Sequence, residues 1–155
     1  MKGSIILREA RQEDLPELQE LFVETIMFTC KGEYNLKQRK IWSASANNRE
    51  KWLMSIKEEF FLVAVLDQII VGFCSLKNTN YLNLLYVHKD HTRKGIANLL
   101  FKAIKQKSLE LGANTLTADV SITAQPFFKS KGFRVINENK NLIEGKIIIN
   151  YYMSE

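Results

Sequence analysis

Little in this chain would staple it, anchor it or load it with metal. Two cysteines, Cys30 and Cys74, stand in 155 residues, without Cys-x-x-Cys spacing and without a nearby pair of histidines. That excludes a disulfide framework and offers no zinc pattern, so no metal is expected and both thiols read as packed or free. Two prolines and seven glycines are too scattered to form a linker, and no repeat or low-complexity stretch occurs. The longest apolar runs, such as Phe60 to Leu66, fall far short of the ~20 residues of a membrane-crossing helix, and the N-terminus lacks an apolar stretch with a small-residue cleavage site. The expectation is a cytoplasmic protein with no membrane partner. At 46% hydrophobic, a chain spanning residues 1–155 has enough apolar side chains for one domain around one substantial core.

What the chain does have is cationic charge. A formal net charge of +5 favours an anionic partner, although the sign does not separate nucleic acid from a phosphorylated small molecule. No helix-turn-helix, aromatic base-stacking platform or basic arm is apparent, so nucleic acid is not the expected partner.

The hydrophobic pattern predicts an alternating α/β chain. Ser4 to Glu9 reads as a short strand, followed by Leu15, Leu18, Leu21, Phe22 and Ile26 at helical spacing, with Pro16 in the first turn where its missing N–H costs nothing. A second, less regular helical region carries Ile41, Trp42, Trp52, Leu53 and Ile56. Phe60 to Leu66 and Ile69 to Leu76 form a hairpin about Asp67-Gln68, and Tyr81 to Val87 continues the meander. Gly95 opens the clearest helix, with Ile96, Leu99, Leu100, Ala103, Ile104 and Leu111 on one face and Gly112 at its end. Thr115 to Val120 reads as a strand, Ile122 to Lys131 as a short helix closed by Gly132, and Phe133 to Glu138 and Leu142 to Tyr152 as two strands joined at Asn139-Lys140-Asn141.

The informative segment is Leu84 to Leu100, LLYVHKDHTRKGIANLL, in which a strand enters a basic turn that runs directly into an amphipathic helix. The first N–H groups of a helix lack internal partners and carry the positive end of its dipole, so a phosphate can accept several hydrogen bonds there. Gly95 permits close approach, Ala97 keeps the next turn small, and Arg93 and Lys94 add charge. Local chemistry alone is equally served by an ordinary helix start with solvated basic residues.

This stretch resembles motif A of the GNAT acetyltransferases, whose acetyl-CoA loop reads (Q/R)-x-x-G-x-(G/A). Gly95 and Ala97 take the last two named places, and Thr92 departs from the first. Ala124-Gln125-Pro126-Phe127-Phe128-Lys129-Ser130-Lys131-Gly132-Phe133 is similar to the family's A-x-x-F-Y-x-x-x-G-F segment, with Phe128 where the tyrosine stands. TRKGIA, ADVSITAQPFF, the terminal YYM, and Tyr34, Trp42 and Trp52 resemble the YafP-like branch. The resemblance implies the GNAT fold: an α/β (α+β) domain with a mixed, mostly antiparallel sheet of about seven strands and about four helices, in the order β-α-α-β-β-β-α-β-α-β-β.

It also implies a site. The strands Tyr81 to Val87 and Thr115 to Val120 should splay apart to admit the pantetheine arm of acetyl-CoA, with Leu85, Tyr86 and Val87 offering main-chain groups to the arm and the thioester carbonyl. Thr92, Arg93, Lys94, Gly95, Ile96, Ala97 and Asn98 would hold the diphosphate, and Ser121, Phe127 and Phe128 would border the arm. Ser121 serves equally as a helix cap. Transfer to the primary amine of an unidentified small molecule or peptide would be direct, which fits the lack of a Cys-His or Ser-His-Asp signature. Relatives often place a carboxylate where this chain has Tyr81 and Asn83. Asp119 is therefore the candidate proton acceptor, or alternatively a cap of the following helix. Tyr81 and Tyr152 are candidates for protonating sulfur or steering water, or are packed with bonded hydroxyls. Phe28, Tyr34, Trp42 and Trp52 would wall the acceptor pocket or fill the core, and His88 and His91 read as solvated. A CoA-binding protein of this fold without transferase activity is the alternative, and a homodimer is compatible with the reading.

Overall fold

The computed structural model describes residues 3–155. Seven strands form a single sheet: β1 (Ile6–Glu9), β2 (Phe60–Leu66), β3 (Ile69–Lys77), β4 (Tyr81–Val87), β5 (Thr117–Ser121), β6 (Arg134–Ile143) and β7 (Lys146–Ser154). Their spatial order is β1-β2-β3-β4-β5-β7-β6. Five α-helices connect them: α1 (Leu15–Glu24), α2 (Leu36–Ser43), α3 (Arg49–Glu58), α4 (Ile96–Glu110) and α5 (Gln125–Ser130). Every strand pair is antiparallel except β4 with β5, which a crossover through α4 makes parallel.

Side-chain alternation gives the sheet two apolar faces, each with its own core. Ala64, Val71, Cys74, Leu82, Ala118, Val120 and Met153 meet Ile96, Leu100 and Ile104 of α4 and Phe128 of α5. On the opposite face Phe61, Val63, Ile70 and Phe73 meet Leu18, Leu21 and Phe22 of α1 and Trp52 of α3. A smaller cluster of Cys30, Tyr34 and Ile148, with Ile41, Trp42 and Ile122 against it, joins α2 to β7. No helix of the described residues is long and apolar enough to cross a membrane.

The expected strand order and the Asp67-Gln68 hairpin are present, and both turn residues have the positive φ, 50° and 69°, of a twisted two-residue connection. Two expectations need correction. The second helical region is two helices, because Asn35 and Asn48 each cap one: their side chains accept from the amides of Gln38 at 2.8 Å and Lys51 at 3.2 Å. The last hairpin turns at Glu144-Gly145, with φ of 47° and 78°, and Asn139-Lys140-Asn141 lies inside β6, paired with Asn150, Ile149 and Ile148. A polar run with the composition of a turn is here one half of a two-stranded ladder, and the adjacent residues able to adopt positive φ decide the bend.

Gly72 in β3 is the contact point through which the sheet positions α4. A Cβ there would stand 3.0 Å from Ile96 Cγ2, 3.1 Å from Leu100 Cδ1 and 3.1 Å from the Tyr86 carbonyl oxygen. The first turn of α4 therefore rests directly on the backbone of β3. Gly72→Ala is expected to cost about 1–3 kcal/mol through overpacking, which at this size lowers the melting temperature by roughly 2–10 °C. An unchanged melting curve would show that α4 does not rest on that backbone.

Candidate active site

The site begins with a break in the sheet. Among the described residues β4 and β5 share one registered pair, Tyr81 with Thr117, supported by the Thr117 amide donating to the Asn80 carbonyl at 2.9 Å. Beyond it the strands diverge. A cavity of about 980 Å³ opens between them, lined by Leu82 to Val87 on one side and Ala118 to Ser121 on the other. In β4 the register against β3 slips at Asn83, since Ser75 faces Leu84 while Leu76 faces Leu82. The His88 amide donates to the Val71 carbonyl at 2.8 Å, so by alternation Tyr86 and Leu84 also bond toward β3. The main-chain groups of Leu85 and Val87 then face the gap. Thr25, on the π-helical turn Thr25–Thr29 that ends α1, donates its hydroxyl to the Val87 carbonyl at 3.3 Å.

One end of the cavity reaches Thr92 and Ala97. Gly95 (φ 80°) and Arg93 (φ 61°) are both left-handed, which turns the loop so that α4 starts at the mouth of the gap. The first bond inside the helix runs from the Leu99 amide to the Gly95 carbonyl at 3.0 Å. The amides of Ile96, Ala97 and Asn98 thus have no acceptor within it. A non-glycine residue held in the left-handed region costs about 1 kcal/mol or more, and Arg93 is such a residue. Ile96 is buried in the core and contributes only main chain. The Asn98 side chain accepts from Lys131 Nζ, and that ammonium also lies 5.4 Å from the Phe127 ring centroid and 5.8 Å from that of Phe101. Arg93 and Lys94 are exposed at the outer side of the turn.

Polar side chains gather around the site where β4 and β5 meet. The Tyr81 hydroxyl donates to Asp119 Oδ2 at 2.5 Å, and Asn139 Nδ2 donates to Asp119 Oδ1 at 2.8 Å. Asn139 and Asn141 both donate to Asn150 Oδ1, at 2.9 and 3.0 Å, and Asn137 donates to Asn139 Oδ1 at 2.9 Å. β5, β7 and β6 thereby carry one continuous amide ladder on the face that bears Asp119. Burial, and then the Asp119 carboxylate, push the Tyr81 phenol well above its ordinary pKa, so it stays a neutral donor.

Tyr34 holds β5 away from β7. Those strands pair from Thr117 with Ser154 to Ser121 with Asn150, so the next rung would join Ile122 to Ile149. The Tyr34 hydroxyl occupies that rung, accepting from the Ile122 amide at 2.9 Å and donating to the Ile149 carbonyl at 2.6 Å. Burial raises this phenol to about 12, which keeps the proton it needs for that donation. The Trp42 ring packs edge-on against it with centroids 5.3 Å apart.

The other sequence candidates divide. Asp119 does not cap α5. Ser121 bonds within the turn before α5, its hydroxyl accepting from the Ala124 amide at 3.1 Å while the residue also borders the cavity. Phe127 and Phe128 line the cavity. Tyr152 pairs with Asp119 across β5 and β7 but is not part of the lining, although Asn150, two residues along the same strand, is. Trp52 is core, with its indole N–H donating to the Ser45 carbonyl at 3.2 Å. Tyr34 and Trp42 do wall the cavity. Phe28 is half exposed, its ring 4.3 Å from Lys31 Nζ and 5.4 Å from Lys89 Nζ. His88 and His91 remain at the surface turn, where His88 Nδ1 accepts the Asp90 amide at 3.1 Å. Among the described residues no group of three metal-binding side chains comes together. Sequence reasoning missed Thr25, Lys51 and the asparagines of the ladder. The asparagines had one visible signal, the spacing of two between Asn137, Asn139 and Asn141 that puts all three on one face of a strand.

Known proteins share this fold. The family model described as an acetyltransferase (GNAT) domain matches residues 30–153. The uncharacterised N-acetyltransferase YafP of Escherichia coli K12 is 29% identical over 151 residues, covering 97% of this chain and 95% of that one. A crystal structure from Rhodopseudomonas palustris, described as a GCN5-related N-acetyltransferase and class-II aminotransferase, superposes with a TM-score of 0.94 at 28% identity, covering 100% of this chain and 97% of the other. PaiA N-acetyltransferase from Thermoplasma acidophilum, solved with coenzyme A, shares the fold with a TM-score of 0.79 at 23% identity and 98% coverage of both chains.

The bridging rung yields a direct measurement. Tyr34→Phe leaves the Ile122 amide and the Ile149 carbonyl without their relay, a loss of about 1–3 kcal/mol. Amide exchange at Ile122 should accelerate by at least about tenfold, while amides in the middle of β3 change much less. Unaltered exchange at Ile122 would mean that the ring alone, through packing, shapes this wall.

Proposed function

This chain belongs to the GNAT acetyltransferase family, and on that premise we propose that it moves the acetyl group of acetyl-CoA to the primary amine of a small molecule or peptide by direct attack. The observation that carries the reading is the open gap between β4 and β5, with unpaired main chain on one side and Asp119 with Tyr81 at its inner end. Buried main-chain groups require partners. The main-chain groups of Leu85 and the amide of Val87, whose carbonyl Thr25 occupies, match an extended amide-bearing arm such as pantetheine, and the free amides of Ile96, Ala97 and Asn98 match a diphosphate. The T. acidophilum protein that shares this fold was solved with coenzyme A, which supports the same assignment. Bound acetyl-CoA supplies the activated acyl group as a thioester.

The residues of the chain then divide the work. The Leu85 amide donates to the thioester carbonyl as negative charge develops on its oxygen. Asp119 accepts the proton that the acceptor's ammonium must lose, directly or through water, before nitrogen can attack. Tyr81 and Asn139 hold one carboxylate oxygen each, which fixes the base without consuming its remaining lone pairs. Phe128 gives the helical wall no hydroxyl and Tyr152 does not line the cavity, so Tyr81 is the phenol that both lines it and touches the base. Binding of CoA without transfer is the weaker reading, because a carboxylate paired with a phenol occupies the inner end of the gap. The enzyme is read as cytoplasmic.

Two measurements test this. Gly95→Asp places a side chain and a negative charge at the entry to α4 and should weaken acetyl-CoA binding in calorimetry by at least about tenfold. Equal affinity would put the diphosphate elsewhere. Asp119→Asn should lower kcat by about 100-fold or more with KM for acetyl-CoA little changed, the usual range for a lost general base. Full thiol release in that variant would remove Asp119 from the chemistry.

A further inference from the structure

We infer that Asn150 recognises a neutral carbonyl oxygen on the acceptor, so that the preferred amine belongs to an amide or a peptide rather than to a free amino acid or a polyamine. This rests on the transferase reading above and concerns the sheet face that bears Asp119. Asn150 is half-buried there and lines the cavity together with its neighbours Ser121, Asn141 and Ile148. The orientation of its amide is forced from two sides. A carboxylate only accepts, so Asn139 turns its NH2 group to Asp119 Oδ1 at 2.8 Å, and its second N–H reaches Asn150 Oδ1 at 2.9 Å. A main-chain carbonyl also only accepts, so Asn141 turns its NH2 group to Ile148 at 2.9 Å and its second N–H to the same Asn150 oxygen at 3.0 Å. With its oxygen taken by two donors, Asn150 must present its own NH2 group the other way. Among the described residues that nitrogen has no acceptor, and it is open to solvent rather than sealed in the core.

An unspent donor beside a base selects an oxygen. One Asn139 nitrogen bonds both head groups, so Asp119 and Asn150 address atoms of the same small molecule: the amine at the carboxylate, and an oxygen a few bonds away at the NH2 group. The surroundings settle the charge of that oxygen. A second carboxylate would face Asp119 across a few ångströms without a cation to offset the repulsion. Lys140 lies on the face of β6 opposite Asn139 and Asn141, and both Lys140 and Lys51 are exposed. A second ammonium, as in a polyamine, finds no further carboxylate in the lining. A neutral carbonyl meets neither penalty and gives the Asn150 N–H groups the partner that an acceptor without oxygen leaves them lacking. Such a donor acts on which acceptor is chosen, because its loss falls only on substrates that use it.

The test sets glycine N,N-dimethylamide, which has the carbonyl and no amide N–H, against propargylamine, an amine of similar basicity without the oxygen. Glycine and putrescine are assayed alongside, all by CoA release from acetyl-CoA. Referred to the unprotonated amine, kcat/KM for the dimethylamide should exceed that for propargylamine by at least about fivefold, and should exceed glycine and putrescine by more. Asn150→Asp keeps an acceptor for Asn139 and Asn141 and exchanges the N–H pair for oxygen. It should erase the advantage over propargylamine, whereas a purely structural loss would lower both amines alike. The side-chain amide signals of Asn150, assigned by their disappearance in Asn150→Asp, should move when the dimethylamide is added to the CoA-bound protein and stay still with propargylamine. Propargylamine or glycine equal to the dimethylamide, or an advantage that survives Asn150→Asp, would overturn the inference while leaving the transferase reading intact. Acetyl-CoA binding with no CoA release from any amine would instead strike at the transferase reading, and the Asn150 signals would then decide the inference by themselves.

Discussion

The structure depends on two parallel strands that touch once and then part. Parallel pairing is ordinarily continuous and buried, so a pair that stops after Tyr81 and Thr117 leaves backbone donors and acceptors that something else must satisfy. The gap is supported on both flanks. On the β4 side, α4 rests on the bare backbone at Gly72, and Thr25 bonds the Val87 carbonyl. On the β5 side, the Tyr34 hydroxyl sits in the rung where β5 would otherwise continue along β7. Each support reaches the strand from an element distant in sequence, so the opening is a property of the whole domain.

Alternation then sorts the chemistry. Along β5, Ala118 and Val120 point into the core beneath α4, which leaves Asp119 on the opposite face with the asparagines of β6 and β7. The Gly95 end of the cavity presents main chain, whose geometry is set by Gly95 and Arg93 in left-handed conformations. The inner end relies on side chains, and these hold one another through a chain of hydrogen bonds across four strands, β4 to β6.

Local signals made much of this legible. The Gly95 helix, the Asp67-Gln68 turn and the boundaries of β4 follow from periodicity and turn chemistry within a few residues. Features that depend on distant partners did not show. Nothing near Gly72 announces that Ile96 will press on it, and nothing near Tyr34 announces a rung between Ile122 and Ile149. Asn139-Lys140-Asn141 reads as a turn by composition until Asn150 and Asp119 are set beside it. Asp119 and Ser121, each read as a possible cap, leave α5 without a side-chain cap, because the strand runs on to Ser121, which bonds the Ala124 amide in the turn before the helix.

Phe128 and Tyr81 together explain how the site manages without a phenol on its helical wall. Phe128 packs edge-on against Phe127 and Phe133, with centroids 5.6 and 5.1 Å away, so a ring without a polar tip completes the core there. Three phenols line the cavity, those of Tyr34, Tyr81 and Tyr86, and the one bonded to the carboxylate is Tyr81. A phenol whose pKa is raised by burial and by a carboxylate 2.5 Å away is a weak acid aimed at that carboxylate. It is therefore suited to orienting Asp119 and poorly suited to protonating sulfur. In the proposed transfer the proton acceptor and the phenol would act as one unit, and the departing thiolate would take its proton from water or from the proton that Asp119 gains.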